Sequence, residues 1–185
     1  RILEFDINQR ATDIAELLLA QNPRIIGIGV YIWNVTPATE LVATLKRLRP
    51  DVTLILGGPE VSYEMERQEI VRLADHVITG EADRKFAEVC GYLLEGVASS
   101  RHGSGGANLA QAGAAHGAPP KIIPAPLPEF SQLALPYPLY TDDDVAHRVI
   151  YVEASRGCPF TCEFCLSSLD VPVRAVALDS FLGQM

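Results

Sequence analysis

The run "RIIGIGVYI", residues 24–32, constrains this chain more than any other stretch. It is almost wholly apolar, with neither the stripe of an amphipathic helix nor the alternation of a half-exposed strand. Such a run needs cover on both faces, as a buried parallel strand has. "VTLILGG" (52–58) repeats the pattern, and "HVITG" (76–80) is a shorter version. Helical spacing fills the intervals. "TPATELVATLKRL" (36–48) carries Leu41, Leu45 and Leu48, with Thr36 as expected N-cap and Pro37 at the first helical position. "EMERQEIVRLA" (64–74) is a more polar helix. "RKFAEVCGYLLEG" (84–96) places Phe86, Val89, Cys90 and Leu93 on one face, with Gly96 suited to its end. Ahead of these, "RILEFDI" (1–7) reads as a strand. "ATDIAELLLAQ" (11–21) reads as a helix with Ile14, Leu17 and Leu18 at helical spacing and Thr12 or Asp13 as cap. Strands alternating with helices predict an α/β fold with a parallel sheet.

Composition shifts after residue 97. "SSRHGSGGANLAQAGAAHGAPP" (99–120) has almost no large apolar side chain and cannot bury enough surface to offset its ordering entropy. The expected organisation is therefore an α/β domain over 1–97, a flexible linker over 98–121, a Pro-rich extended connector over 122–146, and a further domain beginning at 147. "DDD" (142–144) reads as a solvated loop and "RVIYVEAS" (148–155) as a strand. The net charge of −8, with no Lys/Arg cluster, argues against a nucleic-acid backbone as partner. No apolar run is long enough to cross a bilayer, and no secretory signal opens the chain. The four cysteines, three of them clustered, read as metal-site usage in a reducing compartment, so a cytoplasmic location is expected. Arg1 at the start and the unmarked end at Met185 are read as those of an excerpt from a longer protein.

The cluster lies in "EASRGCPFTCEFCLSS" (153–168), where Cys158, Cys162 and Cys165 are spaced C-x3-C-x2-C. Thiolates are soft ligands for zinc, copper or iron–sulfur clusters. Structural zinc usually takes four ligands, often as two separated pairs; here three are local, and His147 lies across a strand from them. Three thiolates on one loop suit a 4Fe–4S cluster with one iron left open. Gly157 permits a tight turn before the first ligand, and Pro159 restricts the backbone after it.

"RGCPFTCEFC" resembles the cluster loop of the radical S-adenosylmethionine superfamily, with Phe164 at the aromatic position before the third cysteine. The resemblance implies that Cys158, Cys162 and Cys165 bind the cluster. It implies that the open iron chelates S-adenosylmethionine, that Phe164 borders the adenine, and that a flavodoxin or ferredoxin supplies electrons. It also implies that 148–155 is the first strand of a β/α barrel whose remainder lies beyond residue 185. In the chain as it stands, the loop is expected to hold no cluster. The other reading of the loop is zinc or no ligand.

An α/β domain ahead of such a loop resembles the cobalamin-dependent class of that superfamily, whose Rossmann-like (flavodoxin-like) domain holds a corrinoid. "GVYIWN" (29–34), "LGGPEVS" (56–62) and "TGEAD" (79–83) are similar to its strand-end segments. By that resemblance Tyr31, Trp33, Asn34, Gly57, Gly58, Pro59, Gly80 and Glu81 line the cobalamin site, at the carboxyl ends of the strands. The implied activity is methyl transfer or another radical reaction. The alternative is a non-catalytic Rossmann-like module for a partner or another small ligand, with Tyr31 and Trp33 as ordinary rim aromatics. Cys90, on an apolar helix face, reads as buried filler. The family motif D-x-H-x-x-G, whose His can ligate cobalt, does not occur in these residues, and His76 reads as structural. "RILEFDI" is similar to the family's second strand, which places the first before Arg1. In the order 2-1-3-4-5, strand 1–7 would then pair directly with strand 25–32, or a homodimer would cover an open sheet edge.

Overall fold

The computed structural model describes residues 1–99, 119–160, 162–165 and 173–185. Its described residues divide into two compact units, 1–127 and 128–185.

The first unit is a four-stranded parallel sheet in the order β1-β2-β3-β4. The strands are β1 (Ile25–Gly29), β2 (Thr53–Gly57), β3 (His76–Thr79) and β4 (Ile122–Pro124). The helices are α1 (Ala11–Leu19), α2 (Val35–Leu48), α3 (Glu69–Leu73) and α4 (Asp83–Ser99). Both faces of the sheet are covered. Leu54 and Leu56 of β2 join Ile14 of α1, Leu41 and Leu45 of α2, and Ile70 and Val71 of α3 in one core. Ile55, between them in sequence, points the other way and packs with Ile78 and with Val89 of α4. Three helices on one face and one on the other leave no polar side to β2, which is why its sequence does not alternate. Phe86, Val89, Cys90 and Leu93 do share the inward side of α4: Val89 is buried with Cys90 and Leu93 beside it, and the Phe86 ring lies against Gly27.

The base of the sheet is clipped by Lys46 and Asp75. Lys46 Nζ donates to both Asp75 carboxylate oxygens at 2.9 and 3.0 Å and to the carbonyls of Pro50 and Val52. The same carboxylate accepts the Leu54 N–H at 2.7 Å. Asp75→Ala is expected to cost about 2 kcal/mol, because the buried Leu54 N–H loses its carboxylate acceptor and the half-buried ammonium loses its counter-charge, keeping only the Pro50 and Val52 carbonyls. Asp75→Asn, which keeps one oxygen, should recover part of this. An unchanged urea midpoint in Asp75→Ala would contradict the clip.

Several expectations need correction. Residues 1–7 form no strand and, among the described residues, no backbone hydrogen bond joins them to β1. Phe5 packs on the core, but a cavity of about 260 Å³ lies between Leu3, Phe5 and Ile7 on one side and Ile26, Ile28 and Leu41 on the other. A strand needs a ladder partner within hydrogen-bonding reach, and the cavity takes that place. The expected connector 122–146 is divided, because Ile122–Pro124 adds β4 to the sheet with Val77 opposite Ile122. The helix over 64–74 shortens to α3 after a 3-10 turn at Met65–Arg67. The α2 N-cap is Asn34, which places Thr36 and Pro37 inside the helix. Neither Thr12 nor Asp13 caps α1, whose N-cap is Arg10; Leu17 is exposed while Leu18 packs inward. Most of the linker expected over 98–121 lies outside the described residues.

In the second unit "DDD" is no loop but the first turn of α5 (Asp142–His147). Thr141 and Asp144 form a reciprocal capping box there. Residues 148–154 are not a strand; among the described residues of this unit β5 (Ser155–Arg156) pairs, antiparallel, with β6 (Arg174–Ala175), and α6 (Leu178–Leu182) follows. Tyrosine hydroxyls supply what a neighbouring strand would. Tyr137 Oη accepts the Glu153 N–H at 2.7 Å and donates to the Glu153 carbonyl at 3.0 Å, and Tyr140 Oη donates to the Tyr151 carbonyl.

Candidate functional site at the carboxyl ends of the strands

Parallel strands deliver every carboxyl end to one rim, where open α/β sheets bind ligands. After β1, the buried Val30 donates its N–H to the Gly57 carbonyl at 2.8 Å, and its own carbonyl accepts the Glu60 N–H at 3.4 Å. The chain then turns outward through Tyr31, Ile32 and Trp33. Asn34 shapes this turn instead of capping α2 with its side chain. Its Oδ1 accepts the Tyr31 N–H at 2.8 Å, and its Nδ2 donates to the Gly29 carbonyl at 3.0 Å. The Tyr31 and Trp33 rings stack, with centroids 4.7 Å apart and planes 6° from parallel. Trp33 remains 65% exposed and Ile32 76%, so the aromatic pair presents a flat surface to solvent instead of filling the core.

After β2 comes the glycine pair. Gly58 has φ of +111°, and a Cβ there would lie 2.4 Å from the Val30 carbonyl oxygen. The loop crosses the backbone of Val30, just after β1, at a separation that only glycine allows. Pro59 opens a 3-10 turn over Pro59–Val61 that buries Val61 and brings Ser62 back to the rim. The Ser62 hydroxyl donates to the Gly58 carbonyl at 2.8 Å and accepts the Gly80 N–H at 3.1 Å. Gly80, with φ of +78°, begins the loop after β3 and leads to the half-buried Glu81. Gln68 Nε2 donates to the Glu60 and Tyr63 carbonyls, supporting the 60–63 segment from behind.

Tyr31, Trp33, Asn34, Gly57, Gly58, Pro59, Gly80 and Glu81 are therefore brought to one rim by three adjacent strands. Sequence reasoning missed Ser62 and Gln68. Ser62 stands four residues after Gly58, a spacing at which a single tight turn can return a hydroxyl to that carbonyl, and that was the available signal. His76 is buried at the opposite end of β3 from this rim, its Nδ1 3.0 Å from the Pro120 carbonyl oxygen. Cys90 packs beside the Ile55–Ile78 core, and burial pushes its thiol pKa up.

The cysteine loop belongs to the second unit. Gly157 has φ of +95°, so the chain turns immediately before Cys158, as expected. The Cys165 N–H donates to the Cys162 carbonyl at 3.1 Å, and Phe164 is 94% exposed. Among the described residues no disulfide joins the cysteines. Among the described residues no three His, Cys, Asp or Glu side chains are gathered closely enough to hold a metal ion. No described helix is long and apolar enough to cross a membrane.

The B12 binding domain family matches residues 1–90. An uncharacterised methyltransferase of Pyrococcus horikoshii is 30% identical over 170 residues, covering 88% of this chain and 36% of that protein. The bacteriochlorophyllide d C-8(2)-methyltransferase of Chlorobaculum tepidum is 31% identical over 143 residues, covering 77% of this chain and 28% of that one. The 2-(S-pantetheinyl)-carbapenam-3-carboxylate methyltransferase of Streptantibioticus cattleyicolor is 25% identical over 168 residues, covering 78% of this chain and 22% of that one. The chain thus spans about a third or less of the length of the curated relatives it matches. The stretch that builds the rim, from β1 through the start of α4, lies within the residues that match the B12 binding domain family.

Proposed function

We propose that this chain is the cobalamin-binding portion, with an adjoining iron–sulfur loop, of a longer enzyme that transfers methyl groups. One observation carries the cobalamin half. Three successive strands within the B12-matching residues bring two glycine-opened loops and an exposed aromatic stack to a single rim. A flat macrocycle needs close backbone approach on one side and apolar cover, and the residues present fit that need. The Gly57–Gly58 and Gly80 loops would offer peptide groups without intervening side chains. The Tyr31–Trp33 stack would exclude water along one edge. Asn34, by holding the Tyr31 amide and the Gly29 carbonyl, keeps that stack in place. Cobalamin, when bound, would supply the cobalt chemistry that carries the methyl group.

The finer reading is a radical S-adenosylmethionine enzyme. Cys158, Cys162 and Cys165 would hold a 4Fe–4S cluster, Phe164 would border S-adenosylmethionine, and a flavodoxin or ferredoxin would deliver electrons. It is supported by the C-x3-C-x2-C spacing and by the glycine turn ahead of Cys158.

Trp33 is the single tryptophan of the chain, and it sits on the rim. Titration with hydroxocobalamin is expected to quench its fluorescence saturably, with the corrin co-eluting with protein on gel filtration. Unquenched Trp33 and no co-elution would overturn the cobalamin reading in favour of a module for another ligand.

A further inference from the structure

We propose that Ser62 is a positioning residue that sets the relative placement of the two glycine loops, and through it the affinity and orientation of the bound corrin. The inference rests on the cobalamin reading above. Backbone bonds already tie the loop after β1 to the loop after β2, through Val30 to Gly57 and Glu60 to Val30. The loop after β3 is tied to the same rim through a side chain. The Ser62 hydroxyl donates to Gly58 on one side and accepts from Gly80 on the other. A hydroxyl has one proton to give and lone pairs to receive, so both of its roles are used, one for each loop. Its partners are the two rim glycines with positive φ, positions whose peptide planes no side chain of their own restrains. The 3-10 turn at Pro59–Val61 fixes Ser62 itself, because its N–H donates to the Pro59 carbonyl at 3.2 Å. The residue is half-buried and Gly80 is exposed, so water can replace the lost bond to Gly80. Removing the hydroxyl should therefore loosen the rim without unfolding the domain.

The test is a graded series at this one position, Ser62→Ala, Ser62→Cys and Ser62→Thr, titrated with hydroxocobalamin. Losing the bridging hydrogen bonds is expected to weaken binding about tenfold in Ser62→Ala. Ser62→Cys, a weaker donor and acceptor, should fall between, and Ser62→Thr should restore most of the affinity. A second readout separates positioning from general stability: the visible circular dichroism of the saturated corrin, which reports its orientation in the protein. It should change in Ser62→Ala, return in Ser62→Thr, and do so while the thermal midpoint stays nearly constant. Should Ser62→Ala fail to fold, the Cys and Thr variants carry the comparison. If the wild-type chain binds cobalamin and the variants match it in affinity and dichroism, Ser62 has no positioning role. If the wild-type chain binds none, the cobalamin reading falls and the proposal with it.

Discussion

Gly58→Ala is expected to destabilise the protein by roughly 3–5 kcal/mol and to abolish ligand binding at the rim. Two costs add. Gly58 has φ of +111° and ψ of 168°, a region essentially reserved for glycine, and forcing another residue there costs roughly 1–3 kcal/mol. The new methyl would also stand 2.4 Å from the Val30 carbonyl oxygen and 3.0 Å from the Val30 nitrogen. These are backbone atoms of a residue whose own amide is bonded across to Gly57, so they cannot step aside cheaply. Overpacking of this kind costs a further 1–3 kcal/mol or so. With a urea slope of about 2 kcal/mol/M, the midpoint should fall by about 2 M, a large part of the stability of an ordinary domain. The neighbouring substitution is the control. A Cβ on Gly57 would meet only the Ile78 carbonyl oxygen at 3.7 Å and the Ala82 Cβ at 3.8 Å, which is ordinary contact. Gly57→Ala should stay within about 1 kcal/mol of wild type. Equal effects at the two positions would refute the close crossing of the β1 and β2 loops.

That pair also marks how far the sequence is legible. "LGGPE" announces a glycine turn at a strand end, but nothing in the letters says which glycine is strained, because the answer lies in the distance to Val30, far away in sequence. Likewise Leu3, Phe5 and Ile7 alternate as a strand should, and "RVIYVEAS" has strand composition. Residues 1–7 and 148–153 lack a ladder partner among the described residues, and pairing begins only at the end of the second segment, where Ser155 stands opposite Ala175; side-chain pattern carries no information about whether a neighbour stands within hydrogen-bonding reach. The interior strands were readable for the opposite reason. Leu54, Ile55 and Leu56 are apolar in succession because cores press on both faces, and that demand is written directly into composition. The helix over Asp142–His147 was legible in principle. Thr141 and Asp144 have capping-box spacing, with Asp in place of the commoner Glu, and three consecutive carboxylates suit the positive end of a helix dipole better than a loop.

Cys162→Ala is expected to remove all iron from the cysteine loop. The measurement belongs in a protein that carries these residues at the length of the relatives, reconstituted anaerobically with iron and sulfide. Wild type should turn brown and retain iron and sulfide through desalting. The spacing allots three thiolates to the cluster, one to each of three irons, and removing the middle one leaves Cys158 and Cys165, too few to hold it. The loss should therefore be complete, not graded. Cys90→Ala supplies the internal control. Cys90 lies in α4 against the Ile55–Ile78 core, where burial raises its thiol pKa and disfavours the thiolate that a metal requires. Its variant should keep the full iron content. Three results would refute the cluster reading: a colourless wild type that instead binds zinc through the loop thiols, iron retained in Cys162→Ala, or iron lost in Cys90→Ala. The first would leave the cobalamin rim intact as a separate question, because the rim and the loop are built from different units of the chain and Trp33 fluorescence reports the rim alone.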